Sequence, residues 1–417
     1  MNSRSVRVAA VAAIAGVLIA GCGGGGSGSA QGAVSGGGLR FSVSAASPGV
    51  YDPVDVRLSG LKPGAAVTIT SDSADFDEVH WHGSGQFQAD ASGVVDVAKQ
   101  PSTAGTYTGV DEMGLLWSMD APQPADSSAV YFGSNCSAPF VVTLTAVVGK
   151  ASATTTLTRL WQVPGVTTTA LSVAADGFEG RLAMPSSGGG TRPAVLLFGG
   201  SEGGNLETCR AEMLAEKGFP ALAVGYFGEP GTPKTLNDIP IEYFAKAAKY
   251  LAGQPGVDRG HIIVLSLSRG SEAALLLAQN YPDLIHGAIV MAPSAQVGPG
   301  FPTGPHGWTL GGVGLPTDET IPVDKISGPV LALTGVDDKL WGSFIWAPQI
   351  MRELDAAHNP FPHKAVLYPN AGHDMVDDPW MPGIGHLDER GGTRPGNVAA
   401  ASESWDQILS FLRGLPR

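Results

Sequence analysis

Residues Ile262-Ile263-Val264-Leu265 are four consecutive large apolar side chains, three of them β-branched. They run through Ser266-Leu267-Ser268-Arg269-Gly270 into Ser271-Glu272-Ala273-Ala274-Leu275-Leu276-Leu277-Ala278. An apolar run without polar alternation must be covered on both faces, as strands of a parallel sheet are. The alanine- and leucine-rich continuation favours a helix. Between them lies a turn so short that the positions two before and two after its central residue must be small, and Ser266 and Gly270 meet that condition around Ser268. This is the layout of a nucleophile elbow, which makes Ser268 a candidate nucleophile and Ser266 its small neighbour. A serine between small residues is common in loops; the flanking strand and helix supply the specificity.

The same texture continues through the second part of the chain. Apolar strands are predicted at 194–198, 221–224, 262–265, 288–291, 330–333 and 364–368, with helices at 207–217, 241–251, 270–279 and 402–412. Alternation of this kind predicts a mostly parallel sheet covered by helices, an α/β-hydrolase architecture, over residues 166–417. Residues 39–165 read differently. Val54-Asp55-Val56-Arg57-Leu58 and Val67-Thr68-Ile69-Thr70 alternate with period two, turn signals recur at Lys62-Pro63-Gly64 and Asp90-Ala91-Ser92-Gly93, and a closing hairpin falls around Gly149-Lys150. Short strands at that spacing predict an all-β, immunoglobulin-like sandwich. A chain of 417 residues is long enough for two cores.

The first 21 residues read as a targeting segment rather than fold. Arg4 and Arg7 precede a short apolar stretch that ends in Ile19-Ala20-Gly21-Cys22. This is similar to a bacterial lipoprotein signal, which implies cleavage before Cys22 and lipidation of its thiol. Residues 22–38 then form a Gly/Ser-rich tether, and the expected location is outside the cytoplasm, lipid-anchored to the bacterial cell membrane. The chain carries a formal charge of −13 with no basic cluster, which disfavours nucleic acid as a partner. An exported protein is free to pair its two remaining cysteines, Cys136 and Cys209, and a bridge would staple the two domains. Two buried free thiols are the simpler expectation.

A serine hydroxyl needs a base, and the base needs an orienting carboxylate. In a sheet of this type they follow in the order acid, then histidine. Val330-Leu331-Ala332-Leu333-Thr334-Gly335 leads into Asp337-Asp338, and Val366-Leu367-Tyr368 leads through Gly372 into His373, the best placed of nine histidines. Either aspartate fits the local spacing; Asp338 lies further into the loop, with Asp337 as its turn-forming neighbour. The strand at 194–198 opens into Gly199-Gly200-Ser201-Glu202-Gly203-Gly204, whose backbone can turn amides toward a developing negative charge. Gly200, Ser201 and the amide of Arg269 are the candidate oxyanion donors. His80 and His82 share a strand face without a third ligand, so no metal is called for, and no cofactor motif is present.

Taken together these residues resemble the family of acyl-CoA thioesterases and bile acid-CoA:amino acid N-acyltransferases. The resemblance rests on Gly105-Thr106-Tyr107-Thr108-Gly109-Val110-Asp111-Glu112-Met113-Gly114-Leu115-Leu116-Trp117-Ser118-Met119 in the first domain. In the second it rests on Phe198-Gly199-Gly200, Lys217-Gly218-Phe219, Pro233-Lys234-Thr235, Ile241-Glu242-Tyr243-Phe244 and Gly335-Val336-Asp337-Asp338. It implies acyl transfer from a thioester through an acyl-enzyme, with Asp338 as the triad acid. The acyltransferase branch uses cysteine, so Ser268 points to hydrolysis. The elbow departs from the family in having Ser266 where glycine is usual, and the stretch between Ser294 and Asp324 does not match closely. Acyl-CoA is cytosolic whereas the signal directs export. The expected activity is therefore a serine acyl hydrolase acting on acyl thioesters, with a lipid-type carboxylic ester hydrolase or an N-acyltransferase as alternatives. A lipid-anchored binding protein with a vestigial site is the alternative of another class.

Overall fold

The computed structural model describes residues 34–35, 38–122, 136, 138–186, 190–383 and 387–415. The signal segment, Cys22, most of the tether and His386 lie outside them.

The amino-terminal domain pairs two antiparallel sheets. The larger has five strands, in the order Val34–Ser35, Ala151–Arg159, Phe140–Val148, Ala66–Ala74 and His80–Gln88; the smaller joins Arg40–Val43, Val56–Ser59 and Val95–Asp96. Strict alternation of buried and exposed residues along Ala66–Ala74 and His80–Gln88 shows why they pair as they do, since one face of each is solvated. The segment from Gly105 to Met119 is structural. A Cβ on Gly105 would lie 2.3 Å from the Ser84 carbonyl, and one on Gly114 would enter the Tyr107 ring. Asp111 accepts hydrogen bonds from the Trp117 indole at 2.8 Å and the Met113 amide at 2.9 Å, which pins the short helix Gly114–Trp117.

The carboxy-terminal domain is built on eight strands. Their order is His363–Tyr368, Val330–Gly335, Ala288–Met291, Val257–Leu267, Arg192–Phe198, Ala221–Gly225, Glu179–Pro185 and Val166–Leu171. The last two are antiparallel additions and the other six run parallel. Along the central strands the side chains alternate between two separate cores. Val195, Leu197, Ile263 and Leu265 face Ala211 and Leu214 of helix Thr208–Glu216 and Trp405 and Ile408 of helix Arg394–Arg413. Leu196, Phe198, Ile262 and Val264 face the helices Ile241–Ala252, Gly270–Asn280 and Ser343–Ala356. The last of these helices escapes sequence reading because Pro348 sits inside it and indoles crowd its start.

The first of these two cores is continuous with the core of the sandwich. Polar contacts reinforce the junction. Arg394 donates to Asp120 at 2.6 Å and to the Trp117 carbonyl at 2.9 Å, and its guanidinium lies 5.8 Å from the centre of the Trp117 ring. Lys217 pairs with Asp52. Cys136 and Cys209 form a disulfide across the junction, with Cα atoms 5.4 Å apart, which corrects the expectation of free thiols. Spacing alone could not reveal it, because the two cysteines, 73 positions apart, are brought together by domain docking. Cross-linking residues so far apart removes chain entropy from the unfolded state, worth about 2–4 kcal/mol. Denaturant titration with and without reductant should therefore show a loss of that size on reduction, and Cys136→Ser should abolish the difference.

Candidate active site

The chain moves outward from Arg192–Phe198 to Ala221–Gly225 and then jumps back across to Val257–Leu267. At such a reversal the loops leaving adjacent strands diverge and open a crevice at their carboxyl ends. The glycine-rich loop leaves one strand of this pair and the serine turn leaves the other.

Ser268 has φ of 50°, in the left-handed region that a residue with a Cβ seldom occupies. Its neighbours hold it there. The Ser268 amide donates to the Met291 carbonyl at 2.9 Å, and Ser271 Oγ donates back to the Ser268 carbonyl at 2.6 Å. Gly270 is required by space, since a Cβ would lie 2.1 Å from the Gly199 carbonyl oxygen and 2.3 Å from Ser266 Oγ. Ser266 is tolerated because its buried hydroxyl donates to the Phe198 carbonyl at 2.7 Å on the next strand.

Three candidates meet at this turn. His373 Nε2 is 3.1 Å from Ser268 Oγ, and His373 Nδ1 is 3.0 Å from Asp338 Oδ2. All three are buried, at 3–6% exposure, so they interact away from bulk water. Asp338 is oriented by the amides of Leu340 at 3.0 Å and Trp341 at 3.3 Å on its other oxygen, and by the Ser343 hydroxyl on the oxygen that faces His373. Asp337 points elsewhere: its carboxylate accepts the Gly392 amide at 2.8 Å and is half exposed. Gly372 serves a different purpose from conferring loop freedom. A Cβ there would lie 2.2 Å from the Gly391 backbone, and the Gly372 amide is anchored on Asn397 Oδ1 at 2.7 Å.

The glycine-rich loop leans directly on Ser268, so that a Cβ on Gly200 would stand 2.9 Å from Ser268 Cβ. Its Gly200 amide donates to Glu202 Oε1 at 2.7 Å, and the Tyr226 hydroxyl holds the Gly200 carbonyl. This corrects the assignment of Gly200 as an oxyanion donor, because its N–H already has a carboxylate acceptor. The amides of Ser201 and Arg269 are engaged by no other described residue. The Arg269 side chain faces Glu272 at 3.2 Å and donates to the Pro299 carbonyl at 2.6 Å. Buried Glu272 in turn accepts the Trp308 indole at 2.7 Å and the Gly298 amide at 2.8 Å. The Pro- and Gly-rich stretch is thereby tied to the serine helix. Glu272, Trp308, Glu202, Tyr226 and Ser343 escaped sequence reading. The one usable signal was a glutamate inside an otherwise apolar helix.

Strand order, the strained serine turn and the converging histidine and aspartate define an α/β hydrolase. The chain belongs to the acyl-CoA thioester hydrolase/BAAT family. A family model described as the acyl-CoA thioester hydrolase/BAAT N-terminal region matches residues 51–173, and one for the BAAT / acyl-CoA thioester hydrolase C terminal matches residues 239–301 and 312–415. Curated relatives include acyl-coenzyme A thioesterase 2, mitochondrial, of Rattus norvegicus, 27% identical over 87% of this chain and 86% of that protein. Acyl-coenzyme A thioesterase 1 of the same organism is 28% identical over 87% of this chain and 93% of that protein. Among solved structures, a dienelactone hydrolase from Anabaena variabilis matches 61% of this chain and all of that one, with 15% identity and a TM-score of 0.37.

Behind the glycine loop, Asn205 Nδ2 donates to Glu179 at 3.2 Å and the Gly225 amide donates to the same oxygen at 3.1 Å. Burial, with the nearby charge of Glu229, pushes the Glu179 carboxyl up to about 7. A folded-state value above the unfolded one means that the protonated form favours folding. That contribution is full below the ordinary carboxylate range and is lost as pH rises through about 7. Glu179→Gln should therefore match the wild type in stability at pH 4 and exceed it at pH 8, by on the order of 1 kcal/mol after solvent screening. Unfolding midpoints across that range measure the difference.

Proposed function

We propose that the protein is a serine acyl hydrolase that cleaves acyl thioesters through an acyl-enzyme. The observation that carries this is the unbroken run of hydrogen-bond distances from Ser268 through His373 to Asp338. His373 Nε2 takes the Ser268 proton as Oγ attacks the thioester carbonyl, while Asp338 accepts the Nδ1 proton bond and stabilises the imidazolium. The oxyanion is held by the amides of Ser201 and Arg269. Collapse breaks the C–S bond, and His373 returns the proton to the departing thiolate. Water then repeats the sequence on the acyl-serine, releasing the carboxylic acid. Leu340, Phe344 and Ile345 present exposed apolar side chains beside Trp341, whose ring contacts His373 at 6.0 Å, and offer a surface for the acyl chain.

The relatives bear names that specify coenzyme A thioesterases, which supports a thioester as the acyl donor and water, not an amine, as the acceptor. Ser268→Ala should lower turnover of an acyl-CoA by about 10⁶-fold and abolish labelling by a fluorophosphonate probe. With glycine present the wild type should release free acid; a predominance of acyl-glycine would overturn hydrolysis in favour of N-acyl transfer. Equal labelling of wild type and Ser268→Ala would overturn the nucleophile.

The proposed location is the outer face of the cytoplasmic membrane, through a lipidated Cys22. The interdomain disulfide supports it, because such bonds persist in oxidising compartments. The physiological thioester or ester is then itself exported. Cys22→Ala should move the protein from the membrane fraction to the soluble extracytoplasmic fraction; an unchanged distribution would refute the anchor.

A further inference from the structure

The triad accounts for His373 but not for the way its turn is held. His373–Val376 is a short 3-10 turn at the end of the sheet, and the residues that follow it reach toward the other domain. The Val376 carbonyl accepts a hydrogen bond from Arg210 Nη2 at 2.7 Å. Arg210 comes from helix Thr208–Glu216, is 5% exposed, and is fixed by Glu207 at 2.6 Å. The same guanidinium lies 4.0 Å from the carboxylate of Asp378. That carboxylate also accepts the hydroxyl of Tyr51, a sandwich residue 327 positions away in sequence.

Tyr51 is itself rigidly seated. It is 2% exposed, and its ring meets Trp405 at 4.7 Å and Trp161 at 6.3 Å, both edge-on. Cys209, adjacent to Arg210, is bridged to Cys136 of the sandwich. Arg159, another sandwich residue, lies 5.9 Å from the centre of the Trp380 ring just beyond Asp378. The sandwich therefore grips the histidine turn by two routes, one from Tyr51 to Asp378 and one through the disulfide and Arg210 to Val376. Apolar packing would suffice to join the domains. A buried hydroxyl aimed at a carboxylate five residues past the base does something more specific, since it sets where the turn sits. Misplacing a reacting group by about 1 Å costs on the order of 100-fold in rate.

We infer that Tyr51 is a positioning residue for the hydrolytic reaction, and that the sandwich domain acts in catalysis by fixing, through Asp378, the turn that aims His373 at Ser268. The inference rests on the serine-hydrolase reading above. Tyr51→Phe keeps the ring and removes only the hydroxyl, and Asp378→Asn keeps an oxygen able to accept it. The rate of fluorophosphonate labelling of the full chain, followed against pH alongside thermal unfolding, tests the idea without knowing the natural substrate. Tyr51→Phe should label about tenfold more slowly, with a displaced acid limb in its pH profile and an unchanged unfolding midpoint. Asp378→Ala should reproduce that loss, the double variant should not deepen it, and Asp378→Asn should recover most of the rate. Labelling of Tyr51→Phe at the wild-type rate overturns the inference and leaves the triad standing. So does slower labelling that tracks a lowered unfolding midpoint with the acid limb unmoved. Failure of the wild type to label overturns both.

Discussion

Ser268 is held at φ of 50°, and the rest of the site is arranged around that constraint. A left-handed serine between a buried strand and a helix costs on the order of 1–3 kcal/mol, so the surroundings must over-determine it. They do so by packing strand ends so closely that only hydrogen fits at Gly270 and Gly200. Those contacts run between the serine turn and the glycine-rich loop of the neighbouring strand. The glycine-rich loop and Ser268 are thus positioned by one act of packing.

The second organising element is the continuity of one hydrophobic core across both domains. One face of the catalytic sheet, through the helices Thr208–Glu216 and Arg394–Arg413, shares its interior with the sandwich. Polar groups buried there need partners from the other domain: Arg394 takes carbonyls near the end of the Gly105–Met119 segment, and Arg210 shares Asp378 with Tyr51. The segment that resembles the family most closely in the first domain is a docking element, not a reactive one. Its glycines allow close approach, and its tryptophan and carbonyls face the catalytic domain.

Much of the site was legible because its residues lie at strand ends with distinctive local patterns. Ser268 stands between apolar strand and apolar helix, and Asp338 and His373 each follow a run of apolar residues. What was not legible has a common cause. Glu202 takes the Gly200 amide through a side-chain conformation that the spacing does not encode. Ser343, which orients Asp338, begins a helix that sequence reading missed. Trp308 reaches Glu272 from 36 positions further along the chain, and Tyr226 reaches Gly200 from the end of the next strand.

By itself the sequence determined the α/β-hydrolase class, the all-β domain before it and the order in which Ser268, Asp338 and His373 follow their strands. These follow from hydrophobic periodicity and from the steric demands of short turns, which are local properties. Tertiary structure alone decided that Gly200 has already given up its amide, that Cys136 meets Cys209, and that Tyr51 reaches Asp378 just past the histidine turn. Each depends on two distant segments arriving at one place, and the free energy that brings them there belongs to the packed core, not to any stretch of chain.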